Sequence, residues 1–153
     1  MSYLEDQLQQ KDRKVIIEDT VLLIDSEVAS KSGLSGKLLQ AGYKAVKSLK
    51  NGRMIDKAVD MLLDDFTAAL APLHEDFREQ EKTDDFGTYL SAHKERATDA
   101  LLKITDDRAE KAEQKLIRST YKKLRGQAEK HVHAALPGVG RLIDKHVPSH
   151  EAA

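Results

Sequence analysis

The chain reads as an all-α protein, a compact single-domain bundle of five to seven helices, and three observations predict this. Apolar residues recur every three or four positions over nearly the whole length, the spacing of one helical face. No run alternates with the period of two that a half-buried strand needs. The aromatic content, four Tyr, three Phe and no Trp, leaves aliphatic side chains and Ala to fill the core, which suits packed helices better than sheets. At 153 residues, 40% apolar and 33% charged, one core is the default.

Residues 1–10 are polar apart from Tyr3, Leu4 and Leu8, and are expected to form an arm or a short helix before a bundle spanning 11–147. The first long helix should run from about Asp12 to Ser32. Its apolar residues, from Val15 through Leu22 to Val28, cover so wide a sector that it must touch more than one neighbour. It should stop at Gly33, with Ser35 capping the next helix. Gly33 to Gly36 also has the G-x-x-G form of an RNA-clamping loop, but that fold needs flanking strands, and a corner between helices explains both glycines.

The second helix offers Leu34, Leu38, Leu39, Ala45, Val46 and Leu49 as an apolar stripe, with Gly42 a flat spot for close approach. The punctuation at Asn51-Gly52 turns the chain back. The third helix carries Ile55, Val59, Leu62, Phe66, Leu70, Leu73 and Phe77 on the face that must be buried, and Pro72 should kink or restart it near Ala71. Asp56, Asp60 and Asp64 at i, i+4 and i+8 have a spacing that could hold a divalent ion. They point away from Phe66, so a solvated stripe near Lys44 and Lys47 is the plainer expectation.

After a polar bend over 78–85, one of Thr83, Asp84 or Asp85 should cap a fourth helix, whose buried stripe includes Phe86, Leu90, His93, Ala97 and Leu101. Thr105-Asp106-Asp107 should cap a fifth, with Leu116, Tyr121 and Leu124 inside and Lys122 and Lys123 outside, interrupted at Gly126. A final helix ends near Val147, and 148–153 reads as a flexible tail.

Charge falls in blocks. Cations against anions number three to seven over 1–30, seven to one over 31–57, none to five over 58–77, five to eight over 78–107 and ten to four over 108–147. Neighbouring antiparallel helices are therefore expected to carry complementary surfaces, the sharper alternative being a basic face for an anionic partner.

Chemistry is sparse. The absence of Cys excludes disulfides, thiol nucleophiles and thiolate metal sites. No nucleophile elbow, Walker-type phosphate loop, dinucleotide fingerprint or H-E-x-x-H stands in the sequence. His74, His93, His131, His133, His146 and His150 show no convincing ligand spacing, so no metal, cofactor or catalytic residue is expected. The start of the chain lacks an export signal and no apolar run could cross a bilayer, from which a soluble cytoplasmic protein is expected.

The stretch Leu136-Pro137-Gly138-Val139-Gly140-Arg141 resembles the hairpin of the helix-hairpin-helix motif of DNA repair and recombination proteins. That resemblance implies that the Gly138 and Gly140 amides hold a phosphate with Arg141 beside them, and Lys122 and Lys123 on the basic fifth helix would extend the contact. A turn leading into a closing helix is the plainer reading of the same residues. Taken whole, the chain resembles a family of small, all-helical bacterial proteins of unknown function. Ser32-Gly33-Leu34-Ser35-Gly36, Tyr43-Lys44-Ala45-Val46-Lys47, Asp64-Asp65-Phe66, Ala100-Leu101-Leu102 and Lys130-His131-Val132 carry the likeness, which implies no activity. The expected function is a non-enzymatic protein-interaction or structural module, with an unknown protein partner or self-association through Lys37, Gly42, Lys44 and Lys47. Nucleic-acid binding through the 136–141 turn is the alternative.

Overall fold

The computed structural model describes residues 2–80 and 85–148. The described residues form helices and no strand, in the order α1 (Tyr3–Gln9), α2 (Arg13–Ala29), α3 (Gly33–Lys47), α4 (Leu49–Gly52), α5 (Met54–Glu79), α6 (Phe86–Ala92), α7 (Lys94–Glu110) and α8 (Lys115–His146). Eight segments stand where five to seven were expected.

The N-terminus takes the helical option. Ser2 Oγ accepts the Glu5 N–H and the Glu5 carboxylate accepts the Ser2 N–H, the reciprocal pair of a capping box. Leu4 is fully buried, the Tyr3 hydroxyl donates to the Pro148 carbonyl at 2.8 Å, and the Arg78 guanidinium lies 3.5 Å from the centre of the Tyr3 ring. Asp12 caps α2 by accepting the Lys14 N–H. Ser32, rather than Ser35, stands at the N-terminus of α3, and Gly33 has the left-handed conformation expected of it (φ 73°). The corner is held by the Gln40 amide, which donates to the Val28 and Lys31 carbonyls, both at 3.0 Å. Leu34 (86% exposed) and Leu38 (44%) do not join the buried stripe expected of this helix.

The segment α4 is a left-handed turn, with Lys50, Asn51 and Gly52 at φ 54°, 57° and 82°. The expected reversal at Asn51-Gly52 is there, one residue longer. Pro72 does not restart the third helix: α5 runs unbroken for 26 residues. Its own missing N–H is one lost bond in a helix whose next residues, Leu73, His74 and Phe77, are among the most deeply buried in the protein.

The expected fourth helix breaks at His93 (φ −116°, ψ 37°) into α6 and α7, and Asp85 caps α6 by accepting the Thr88 N–H. Thr83 and Asp84, the other cap candidates, lie outside the described residues, as does the tail beyond Pro148. The bend leaves His93 exposed, its ring 4.4 Å from that of Tyr89, instead of in the buried stripe. Thr105-Asp106-Asp107 caps nothing. The Thr105 hydroxyl bonds back to the Leu102 carbonyl inside α7, and the break comes at 111–114, where the Arg118 guanidinium bonds the Ala112 and Glu113 carbonyls.

The fifth and last helices are one. The 32 residues of α8 pass through Gly126 and Pro137 without a turn. This long helix docks α6 by backbone contact: a Cβ at Gly87 would lie 2.8 Å from the Pro137 carbonyl oxygen, and one at Gly140 would land on the Gly87 backbone. The Asp144 carboxylate completes the joint by accepting the Phe86 N–H at 3.1 Å.

The dense core lies at this end of the bundle. Leu4, Leu73, Phe86, Leu90, Leu136 and Val147 are at most 1% exposed, packed with Phe77, Tyr89 and the buried ring of His74. The charge blocks meet as complements: Lys47 pairs with Asp25, Arg108 with Asp65, Arg125 with Asp106, and Lys145 with Asp19. Two helix pairs share one clamp. Between α2 and α3, the Tyr43 hydroxyl and Lys47 both bond Asp25; between α7 and α8, the Tyr121 hydroxyl and Arg125 both bond Asp106. Burial, then the carboxylate that accepts its proton, raises the Tyr43 phenol far above its ordinary value and pushes Tyr121 up to about 12. The Asp60 and Asp64 stripe faces Arg13 of α2, at 2.7 and 3.1 Å, not the lysines of α3.

Candidate functional site

Beside that core, with Leu4, Leu70 and Ile143 as a shared wall, the bundle is open. Between α2, α5 and α8 lies a cavity of about 370 Å³ whose lining is almost wholly apolar. Leu23 and Ile24 face it from α2, Leu63 and Phe66 from α5, and Val139 and Leu142 from α8; all six are only half-buried, although they sit at helix–helix contacts. Small or short side chains are among its lining, Thr20 and Val28 on α2 and Val132, Ala135 and Val139 on α8, while Leu23 of α2 packs directly on Gly138 of α8.

The cavity is a slot. Its lining on α2 runs from Ile16 to Lys31 and on α8 from His131 to His146, each about 22 Å of helix at 1.5 Å per residue. The two walls run antiparallel, since Asp19 reaches His146 and Lys145 at one end and the Lys31 charge acts on His131 at the other. The lining is long enough for an extended hydrocarbon chain to lie along it.

Polar atoms along the slot are turned to the protein. The Thr20 and Thr67 hydroxyls bond the Ile16 and Leu63 carbonyls, both at 2.7 Å, and Thr105 meets the Tyr121 hydroxyl at 2.8 Å. His146 Nε2 lies 2.7 Å from Asp19, whose carboxyl is held below its ordinary value by hydrogen bonds from Lys145 and His146. His131 Nε2 is buried with no hydrogen-bond partner among the described residues. Burial first, then the nearby charges of Lys31 and Lys130, lowers its pKa and favours the neutral imidazole.

A second, polar hollow of about 170 Å³ adjoins the slot between α1, α2 and α5. Leu8, Ile16, Leu63 and Thr67 line both. Its own lining is Glu5, Gln9, Lys11, Arg13 and Asp64. Among the described residues there is no group of three His or carboxylate side chains placed to hold a metal ion, and no helix is long and apolar enough to cross a membrane.

The residues singled out in the sequence are not gathered here. The expected hairpin at 136–141 is a stretch of α8, where the Gly138 and Gly140 amides point along the helix toward its own carbonyls and both glycines are buried. Arg141 is exposed but beside Asp85. Lys122 and Lys123, also exposed, lie about 22 Å or more along the helix from Gly138, too far to share one phosphate with it. On α3, Lys37 and Lys44 are exposed, Lys47 pairs with Asp25, and the flat spot at Gly42 is occupied from within, a Cβ there meeting Thr120 at 2.8 Å.

Sequence reading missed the slot. Its signal was present in the all-round apolar character of α2, which marks a helix walled on one side by something other than a single tight neighbour, and in the short side chains facing it from α8.

No curated protein and no solved structure matches the chain. A family model does, over residues 4–147, from α1 through the last residue of the core. The chain belongs to the Family of unknown function (DUF6918).

Proposed function

We propose that the protein is a non-enzymatic binding module that encloses one apolar, chain-like small molecule in the slot between α2, α5 and α8. The observation that carries this reading is the cavity itself. It is a long apolar groove, half open to solvent, so its lining holds hydrocarbon against water. A guest lying in it would remove that apolar surface from water, at about 25 cal/mol per Å², and the volume falls within the about 300–1,000 Å³ usual for ligand sites. Titration with Nile red, an uncharged apolar dye, tests it: the expected result is saturable binding at one dye per chain with a blue-shifted emission. Absence of saturation, or binding that appears only in urea-loosened protein, refutes it.

A second reading, self-association or docking of a protein partner, is favoured by the exposed apolar side chains Leu22 (64%), Leu34 (86%) and Met61 (61%). Sedimentation equilibrium tests that one, with a concentration-independent monomer mass as the refuting result.

A further inference from the structure

Resting on the slot reading, we infer that the guest is a single-chain amphiphile with a zwitterionic head, its tail in the slot and its head in the polar hollow at the start of α2. Two compartments of different character, one apolar and one mixed, share the wall of Leu8, Ile16, Leu63 and Thr67. The larger, about 370 Å³, is lined almost wholly by carbon; the smaller, about 170 Å³, is lined by Glu5, Gln9, Lys11, Arg13 and Asp64. A hydrocarbon without a head would leave the second compartment to water, and a compact polar molecule would leave the first empty. A molecule with both parts occupies both.

The direction of the guest follows from the two ends of the slot. At the far end Lys31 and Glu27 are largely buried, 12% and 24% exposed, and paired with each other at 3.5 Å. They line the slot with methylene stems while their charges answer one another, which suits a terminal methyl group. At the near end Arg13 is 45% exposed and Asp64 77%, so a head placed there keeps contact with water.

The sign of the head follows from the charges around it. Lys11 makes no ion pair among the described residues and is the donor for an anionic group such as a phosphate. The Arg13 guanidinium is already shared by Asp60 and Asp64, which lifts its own pKa further and leaves less of its charge for a guest. Through one oxygen each, Glu5 is bonded to Ser2 and Asp64 to Arg13, and their second carboxylate oxygens supply the negative side. A purely anionic head would gain Lys11 but lie against two carboxylates, and a purely cationic head would gain the carboxylates but meet Lys11 and Arg13. A phosphocholine-type head, with an anion and a quaternary ammonium a few ångströms apart, answers both.

The test is displacement of bound Nile red by four amphiphiles with the same saturated chain, each below its micelle concentration: lysophosphatidylcholine, palmitate, cetyltrimethylammonium and hexadecanol. The expected result is displacement by lysophosphatidylcholine at a concentration at least about tenfold below the other three, a difference of about 1.4 kcal/mol. The ratio of lysolipid to Nile red affinity should fall about tenfold in Lys11→Glu and stay unchanged in Lys122→Glu, far along α8. Equal displacement by all four, or the same ratio in Lys11→Glu, overturns the head assignment while leaving the slot reading standing. Failure of Nile red itself to bind removes the slot reading first. A measurement independent of any variant uses lysolipid with a nitroxide at the chain terminus: it should broaden the amide signals near Val28 and His131, and broadening near Gln9 and Lys11 instead overturns the proposed direction.

Discussion

Replacing Ala135 by Leu tests the hollow directly, because a wrong side chain in a packed core and a filler in a vacant one move stability in opposite directions. Ala135 faces the slot from the middle of α8. The change adds three carbons, and at about 0.8 kcal/mol per buried CH₂ the upper estimate of the gain is roughly 2 kcal/mol. For a chain of this size one kcal/mol moves the melting temperature by about 2–4 °C, so the rise should be about 4–8 °C in differential scanning calorimetry. The urea midpoint should rise with the slope unchanged. The same substitution takes up space that a guest needs, so Nile red affinity should fall about tenfold or more. Overpacking of an already filled site costs about 1–3 kcal/mol. A melting temperature that drops therefore refutes the reasoning, as does a rise with dye binding untouched.

The remaining predictions concern the scaffold. Gly140→Ala places a methyl group on the Gly87 backbone and should destabilise by about 3 kcal/mol in urea unfolding; Gly126→Ala on the same helix meets nothing within 4 Å and should stabilise by about 0.5–1 kcal/mol. Asp106 is held below its ordinary value of 3.8 by hydrogen bonds from Arg125 and Tyr121. Its contribution is present above that value and lost as pH falls through the lowered one, so Asp106→Asn should lower stability at neutral pH and flatten the acid limb of the stability profile. His131 has its pKa lowered from 6.5 by burial and by Lys31 and Lys130. The unfolded chain then binds the proton more readily, so stability should begin to fall as pH drops below about 6.5, and His131→Gln should remove that step.

How much of this was legible in the sequence follows the range of the interactions. Helical period is a local property, and it located α2, α3 and α5 and the turn at Asn51-Gly52. The Asp85 cap and the left-handed Gly33 were equally local. Breaks set by tertiary contact were not legible. Leu136 to Arg141 looked like a turn, yet α8 runs through it, docked closely on Gly87 and with Leu136 buried. Asp106 looked like a cap because Thr-Asp-Asp is a good one, but its carboxylate is fixed by Tyr121 and Arg125 from the next helix. The slot was least accessible of all. A cavity is the failure of distant side chains to meet, and no single stretch records which small residue on α8 will stand opposite which on α2. The charge blocks did carry across that distance, since opposite surfaces on adjacent helices need only agree in sign.

The most direct test of the central claim is a set of intermolecular NOEs between a saturating chain ligand and the methyl groups of the protein. The account predicts contacts from the ligand's methylenes to Leu23, Leu63 and Leu142, with one ligand per chain. Contacts confined to the exposed Leu22, Leu34 and Met61, or none at saturation, would contradict it.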